Sequence, residues 1–306
     1  MNEKPPVGLS LCNLQAMFGD EKALHMAQQA GADAVDLNLL DYDDTLYRKS
    51  EDEICSYLTK LAGLANSLGL IIRQTHGRII GYRNIPELDE EQKRLARLDM
   101  LATRTLGAQA CAVHGPSRIR LGLEEDPALL RELTFRNFAD FLPFAREAGV
   151  KIAMETLGDV TETYDKTGRN CLDFLGNSQE FISIYRRLKE ETPCGDALCV
   201  CLDSGHTNGA YSFPGQPSPA EMVRKLGKNI EILHLHDNDG ITDQHKIPGS
   251  GSIDWKELIT ALRETGYNGV YNMELKLFHF GCSPEIMTDY AAFAVKVMRN
   301  MLEEYQ

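Results

Sequence analysis

The chain has 306 residues, 43% hydrophobic and 25% charged, which is enough apolar material for a sizeable core. Its 45 acidic against 32 basic residues give a formal charge of −13, which argues against nucleic acid as a partner. No apolar run approaches the roughly 18 residues of a membrane span, and MNEKPPVGLS has no signal-peptide core. The eight cysteines form no C-x-x-C pair, so a cytoplasmic protein is expected.

In chain order, apolar strand-like runs fall at 7–12, 34–40, 71–76, 110–115, 151–156, 198–203, 230–237 and 269–275. Amphipathic segments lie between them, such as 89–109 and 283–302. Several of these end in a glycine just before the next strand, as in REAGVKIAM, where a left-handed stop is expected. Asp254 with Glu257 fits a capping box, and Pro143 is expected to kink the helix at 126–149. Cys12, Cys111 and Cys201 lie in apolar runs and read as buried small hydrophobes. Eight strand–helix units without a linker predict a single (β/α)8 TIM barrel over residues 1–306. A doubly wound open sheet is the alternative. No G-x-G-x-x-G or Walker A loop follows a strand, which removes the main nucleotide-binding folds.

Barrel chemistry gathers where the C-terminal strand ends converge. The third strand ends in His76, the fourth in His114 and the fifth in Glu155. The sixth ends in Asp203, with His206 three residues on. The seventh carries His234 and His236 on one face, and Glu274 closes the eighth. Seven of the eight histidines lie at or beyond strand ends; His25 is in a helix. Taken singly, each of these residues reads as a hydrogen-bonded structural group. Six consecutive strand ends bearing histidine or carboxylate read as a site. His234, one inward layer deeper than His236, reads as a support as readily as a ligand, and Asp237 and Asp239 as orienting or turn residues. Carboxylates mixed with imidazole and no thiolate favour Mn2+, Co2+, Mg2+ or Zn2+.

The pieces QTHGR, AVHGPS, AMET, CLDSGHTN, HLHDND, DQHKIPGSGSIDW and GYNGVYNMEL, spanning residues 71 to 275, resemble the xylose isomerase-like barrel superfamily. That superfamily joins sugar isomerases and epimerases to endonuclease IV. The resemblance implies one divalent ion, manganese first and zinc, cobalt or magnesium otherwise, held by Glu155, Asp203, His236 and Glu274. It implies an enediolate with Glu155 and Glu274 as acid and base, and a small carbohydrate substrate touched by His76, His114, His206 and His245. Two departures stand out. TLGDVTE follows Glu155 in place of the ketose 3-epimerases' N-R-F-E-like run, and Asp243 and His245 occupy a loop where those enzymes carry an arginine. The second departure matches the endonuclease IV branch, where His76, His114, His206, Asp243 and His245 would hold further zinc ions. A multinuclear phosphodiesterase is therefore one alternative, a dehydratase or lyase acting on an oxidised sugar a second, and a non-catalytic sugar-binding barrel a third.

The long loop 158–176 reads as a lid carrying Tyr164, Lys166 and Arg169. With Arg78, Arg83, Arg118 and Arg120 it forms a basic rim, in which Arg118 and Arg169 are expected to hold a phosphate or carboxylate of the substrate. The competing reading is a solvated loop, because Glu124, Glu125 and Asp126 lie nearby. The sequence carries no signature of oligomeric state.

Overall fold

A computed structural model describes residues 4–121, 126–160, 171–277 and 283–305. Its strands are β1 (Val7–Ser10), β2 (Ala34–Asn38), β3 (Ile71–His76), β4 (Ala110–Val113), β5 (Lys151–Glu155), β6 (Leu198–Asp203), β7 (Ile230–His234) and β8 (Tyr271–Met273). Each pairs in parallel with the next from β1 to β7, and β8 pairs with β1. Two hydrogen bonds close the ring: Leu235 N donates to Asn272 O at 2.8 Å and Glu274 N to Leu235 O at 3.1 Å. The result is the expected single (β/α)8 barrel, with a two-stranded ribbon (Asp159–Val160 with Cys171–Leu172) added after β5.

Alternation splits each strand between two environments. Leu9, Val35, Leu37, Ile152, Met154, Val200, Leu202 and Leu233 face outward into one continuous core shared with the helices. Ala110, Ala112, Ala153, Cys199, Cys201 and Ile232 face inward and form a separate small cluster on the side of β4 to β7. Across the barrel the inward residues are polar: Asp36, Gln74, His234 and Asn272, all buried. The barrel is thus packed with small apolar groups on one side and hydrogen-bonding groups on the other.

Boundaries shift where chain geometry takes over from hydrophobicity. The run 34–40 stops pairing at Asn38 and turns through Leu40–Tyr42; the run 230–237 stops at His234. The helix expected at 89–109 is Pro86–Thr105, started by a proline at its first turn. Pro143 lies inside Pro127–Ala148, which continues on both sides of it, and Gly149 takes φ 71° as the left-handed stop. Asp254 accepts from Glu257 N at 3.0 Å, but the Glu257 side chain pairs with Arg224, so only half of the capping box forms. Cys12 opens the helix Cys12–Phe18 and is half-buried, while Cys111 and Cys201 are buried in strands as expected. Among the described residues every cysteine is free, and no helix is long and apolar enough to cross a membrane.

Candidate metal centre at the barrel mouth

Glu155 ends β5 with no exposure and is the hub of the mouth. Its Oε1 lies 3.1 Å from His234 Nδ1 and 3.6 Å from His206 Nδ1. Its Oε2 lies 3.1 Å from His114 Nε2 and 3.5 Å from His76 Nε2. Asp203 ends β6 and caps the helix Ser204–Tyr211 by accepting from His206 N at 2.6 Å. That cap folds D-S-G-H into a turn that brings both its aspartate and its histidine to the mouth.

Ligand-type atoms gather into overlapping groups, each within 4.8 Å: Glu155, Asp203, His234 and Glu274; His76, His114 and Glu155; and His206, His236, Asp243 and His245. The first group joins His234 to the three carboxylates of strands β5, β6 and β8, while His236, the expected ligand, reaches one of them, Asp203, from the third group. Both imidazoles point inward, but the pairing of β7 with β6 ends at His234. Beyond it, Asp237 and Lys246 exchange two backbone hydrogen bonds of 2.9 Å, lifting 237–246 over the mouth as a hairpin. His236 goes with that hairpin and stacks on His245, centroids 3.9 Å apart and planes 10° from parallel. Asp203 bridges the two groups, since His236 Nε2 is 3.0 Å from its Oδ1. Gly205 makes room for this arrangement: a Cβ there would sit 2.0 Å from His236 Cε1.

The hairpin is fixed from below by Asp237, which is fully buried. Its carboxylate accepts from Asn238 N (2.9 Å), Gly249 N (2.9 Å), Ile253 N (3.2 Å) and Trp255 Nε1 (2.8 Å). P-G-S-G-S-I-D-W thus wraps around one carboxylate. His245 adopts φ 47°, a left-handed conformation costly for a non-glycine residue. It is held there by Asp243 Oδ2 at 3.0 Å from Nε2 and by the Glu274 carbonyl at 3.1 Å from Nδ1.

The donor set fits a hard or borderline divalent cation. Glu155 Oε2, His114 Nε2, His236 Nδ1 and Asp243 Oδ1 are buried atoms without a hydrogen bond, although opposing lone-pair bearers stand close by. Burial alone would raise the Glu155 pKa, but the His234 and His114 imidazoles hold it well below the usual carboxylate range. Asp203, Glu274 and Asp243 are likewise lowered by neighbouring histidines against their burial. Burial opposes charging of His206, yet Asp203, Asp243 and Glu155 push it up to about 10. The mouth is a pit of ionised carboxylates that calls for positive charge.

One contributor is missing from the strand-end pattern. Asp36, mid-strand in β2 and fully buried, places Oδ2 2.9 Å from His234 Nε2. The same oxygen accepts from Gln74 Nε2 at 3.0 Å and Asn272 Nδ2 at 3.5 Å. With Nε2 occupied by Asp36, His234 presents Nδ1 toward Glu155 and Glu274, which makes Asp36 a positioning residue. A carboxylate interrupting the apolar run AVDLNLL was the available signal. Asp36→Ala is expected to lower divalent-metal affinity by roughly 10–100-fold in a chelator-competition titration. Unchanged affinity would contradict the role.

Of the expected basic rim, Arg78 is taken up elsewhere. Arg78 is 1% exposed, with Nε 2.6 Å from Asp99 Oδ2 and Nη1 2.7 Å from Asp43 Oδ2, so it is a structural residue turned away from the mouth. Asp126 is spent on a helix cap, accepting from Ala128 N at 2.9 Å. Arg118 opens the short helix Arg118–Leu121, its N–H donating to Asp173 Oδ1 at 3.0 Å. Arg83 donates its backbone N–H to Asp89. Tyr164, Lys166, Arg169, Glu124, Glu125 and the side chain of Arg120 lie outside the described residues. The ends of the expected lid meet: Asp173 N donates to Gly158 O at 3.1 Å, and a Cβ on Gly176 would sit 2.1 Å from that oxygen.

A closed parallel barrel with carboxylates and imidazoles crowding one mouth defines a class of TIM barrels with a polar site at the C-terminal strand ends. Residues 24–297 match the family model described as xylose isomerase-like TIM barrel, and the chain belongs to that family. It spans 41% and 47% of the length of the first two curated relatives it matches. Over 139 residues it is 29% identical to inosose isomerase of Bacillus subtilis (strain 168), covering 42% of this chain and 47% of that one. Among solved structures, a D-tagatose 3-epimerase-like protein superposes with TM-score 0.72 at 19% identity, covering 98% of both chains. The IOLI protein with a binding zinc atom superposes with TM-score 0.68 at 18% identity, covering 98% of this chain and 99% of that one.

Proposed function

We propose that this protein is a divalent-metal-dependent sugar isomerase or epimerase working through an enediolate. The observation that carries the reading is the group Glu155, Asp203, His234 and Glu274, one residue from each of β5 to β7 and Glu274 just beyond β8, in which two glutamates flank one imidazole. The names of the curated relative and of the epimerase-like neighbour support the same class of chemistry, and the zinc in the second neighbour's title supports a metal.

Glu155, Asp203, His234 and Glu274 would hold the ion, which would polarise a sugar carbonyl and its neighbouring hydroxyl. The two glutamates supply proton transfer. Glu274, 15% exposed at its side chain, is the carboxylate open to the mouth and takes the α-proton from carbon. Glu155 returns a proton from the other side, taken up from the His206 imidazolium, whose Nδ1 lies 3.6 Å from its Oε1. His206 is then left neutral and Glu274 protonated until solvent resets both. Return to the same carbon on the opposite face gives an epimer; return to the neighbouring carbon, with the hydroxyl proton moved, gives an isomer. His206, 15% exposed and tied to the Thr156 carbonyl at 3.0 Å, is placed to bind a sugar hydroxyl.

A second reading rests on the second and third ligand groups, His76–His114–Glu155 and His206–His236–Asp243–His245, which would suit a multinuclear zinc phosphodiesterase. The charge of −13 disfavours a nucleic-acid substrate. Metal analysis with activity assays decides between them. Bound manganese or zinc with chelator-sensitive conversion of a ketose or inosose is expected. Three zinc ions per chain with cleavage of abasic-site DNA would overturn the isomerase reading.

A further inference from the structure

At the opposite end of the barrel the strand starts enclose a cavity of about 320 Å³. It exists because the inward positions there are small. Ala110 lines it at an inward place where barrels of this kind carry a bulky aliphatic side chain, so the base is not plugged.

The barrel's two register shifts among the described strands both fall on residues lining this cavity. Between β2 and β3, Ile72 pairs with Val35 and Gln74 with Asp36, which leaves Arg73 as the extra residue. Between β6 and β7, Ile230 pairs with Val200 and Ile232 with Cys201, which leaves Glu231 as the extra residue. A bulge lets two consecutive residues face the same side. Here Arg73 joins Gln74, and Glu231 joins Ile232, on the inside. Arg73 and Glu231 both line the cavity, with Gln109 and Lys228 beside them.

The charges do not balance. Glu231, the one carboxylate lining the cavity among the described residues, is already taken by Lys151 of β5. Arg73 and Lys228 have no carboxylate partner among the described residues, on a chain with 45 acidic side chains against 32 basic ones. A guanidinium aimed by a bulge into a half-enclosed space, with an ammonium and an amide nearby, forms a fork suited to an oxyanion.

We infer that the base of the barrel is a binding site for a phosphate-type oxyanion, gripped by Arg73 with help from Lys228 and Gln109. The volume admits phosphate with several waters or a small phosphate monoester. The site is separate from the mouth and does not depend on the catalytic reading.

Isothermal titration of the metal-loaded protein with inorganic phosphate, and separately with glycerol phosphate, at constant ionic strength tests the inference. Saturable binding at one site per chain is expected. Arg73→Gln should weaken it roughly tenfold or more, Lys228→Gln by a smaller factor, and Arg73→Lys should keep part of the affinity. Tighter binding of the monoester would identify a phosphorylated metabolite as the occupant, and tighter binding of phosphate the free ion. No saturable binding of either, or binding unchanged in Arg73→Gln, overturns the inference, the latter by assigning the anion to the mouth.

Discussion

Glu155→Gln is expected to lower turnover by roughly 100- to 10,000-fold while leaving the barrel folded. The substitution keeps the shape of the side chain and removes its charge. Four imidazoles face this carboxylate within 3.6 Å or less: His234, His114, His76 and His206. Without the charge, the ligand group it shares with Asp203, His234 and Glu274 is left with two carboxylates, and metal affinity falls with activity. The glutamine would also present an N–H to lone pairs now arranged to meet a cation. Far-ultraviolet dichroism and thermal unfolding should resemble the parent protein, because outward packing of β5 through Ile152 and Met154 is untouched. Activity within about tenfold of the parent would remove Glu155 from proton transfer.

Arg78→Met should be the most damaging change away from the mouth, costing about 3–5 kcal/mol. Arg78 is paired with Asp99, which has no exposure and also accepts from the Tyr47 hydroxyl at 2.9 Å. Removing the guanidinium leaves a buried carboxylate without its counter-charge. Gly77 is part of the same unit, since a Cβ on it would lie 2.8 Å from Asp99 Oδ2. The loss should depend on pH. Burial already pushes the Asp99 pKa above its usual value against the pull of Arg78, and the variant removes that pull. An acid whose folded-state pKa is raised is stabilised when protonated, so the penalty should be smallest below about pH 4 and grow as pH rises through the folded pKa. Urea unfolding at acidic and neutral pH reads this directly. In Arg78→Met combined with Asp99→Leu much of the stability should return, and a double variant as unstable as the single one would contradict the account.

The barrel was legible because its signal is local. Each strand is a short apolar run, each helix a longer amphipathic one, and glycine stops such as Gly149 separate them. The mouth was legible because histidines and carboxylates recur at strand ends, a position fixed by periodicity. Its internal wiring was not legible in the same way. His234 and His236 are two residues apart on one face, about 7 Å along a strand. Which of them meets Glu155 depends on where pairing stops and the Asp237–Lys246 hairpin begins. Arg78 read as part of a basic rim because its partner Asp99 comes from the helix Pro86–Thr105, distant in sequence. Asp36 escaped notice because it ends no strand. Its role follows only from the three side chains that β3, β7 and β8 bring to its Oδ2.

The central claim, proton transfer at sugar carbon between two carboxylates at a metal-dependent mouth, is tested most directly by turnover in deuterium oxide. The protein would be loaded with manganese or zinc and offered a panel of ketoses and inososes, with magnetic resonance reading the carbon-bound positions. Deuterium should appear at the α-carbon of the converted sugar, and both conversion and labelling should vanish with a chelator and in Glu155→Gln. Conversion that leaves every carbon-bound position free of deuterium would contradict the account.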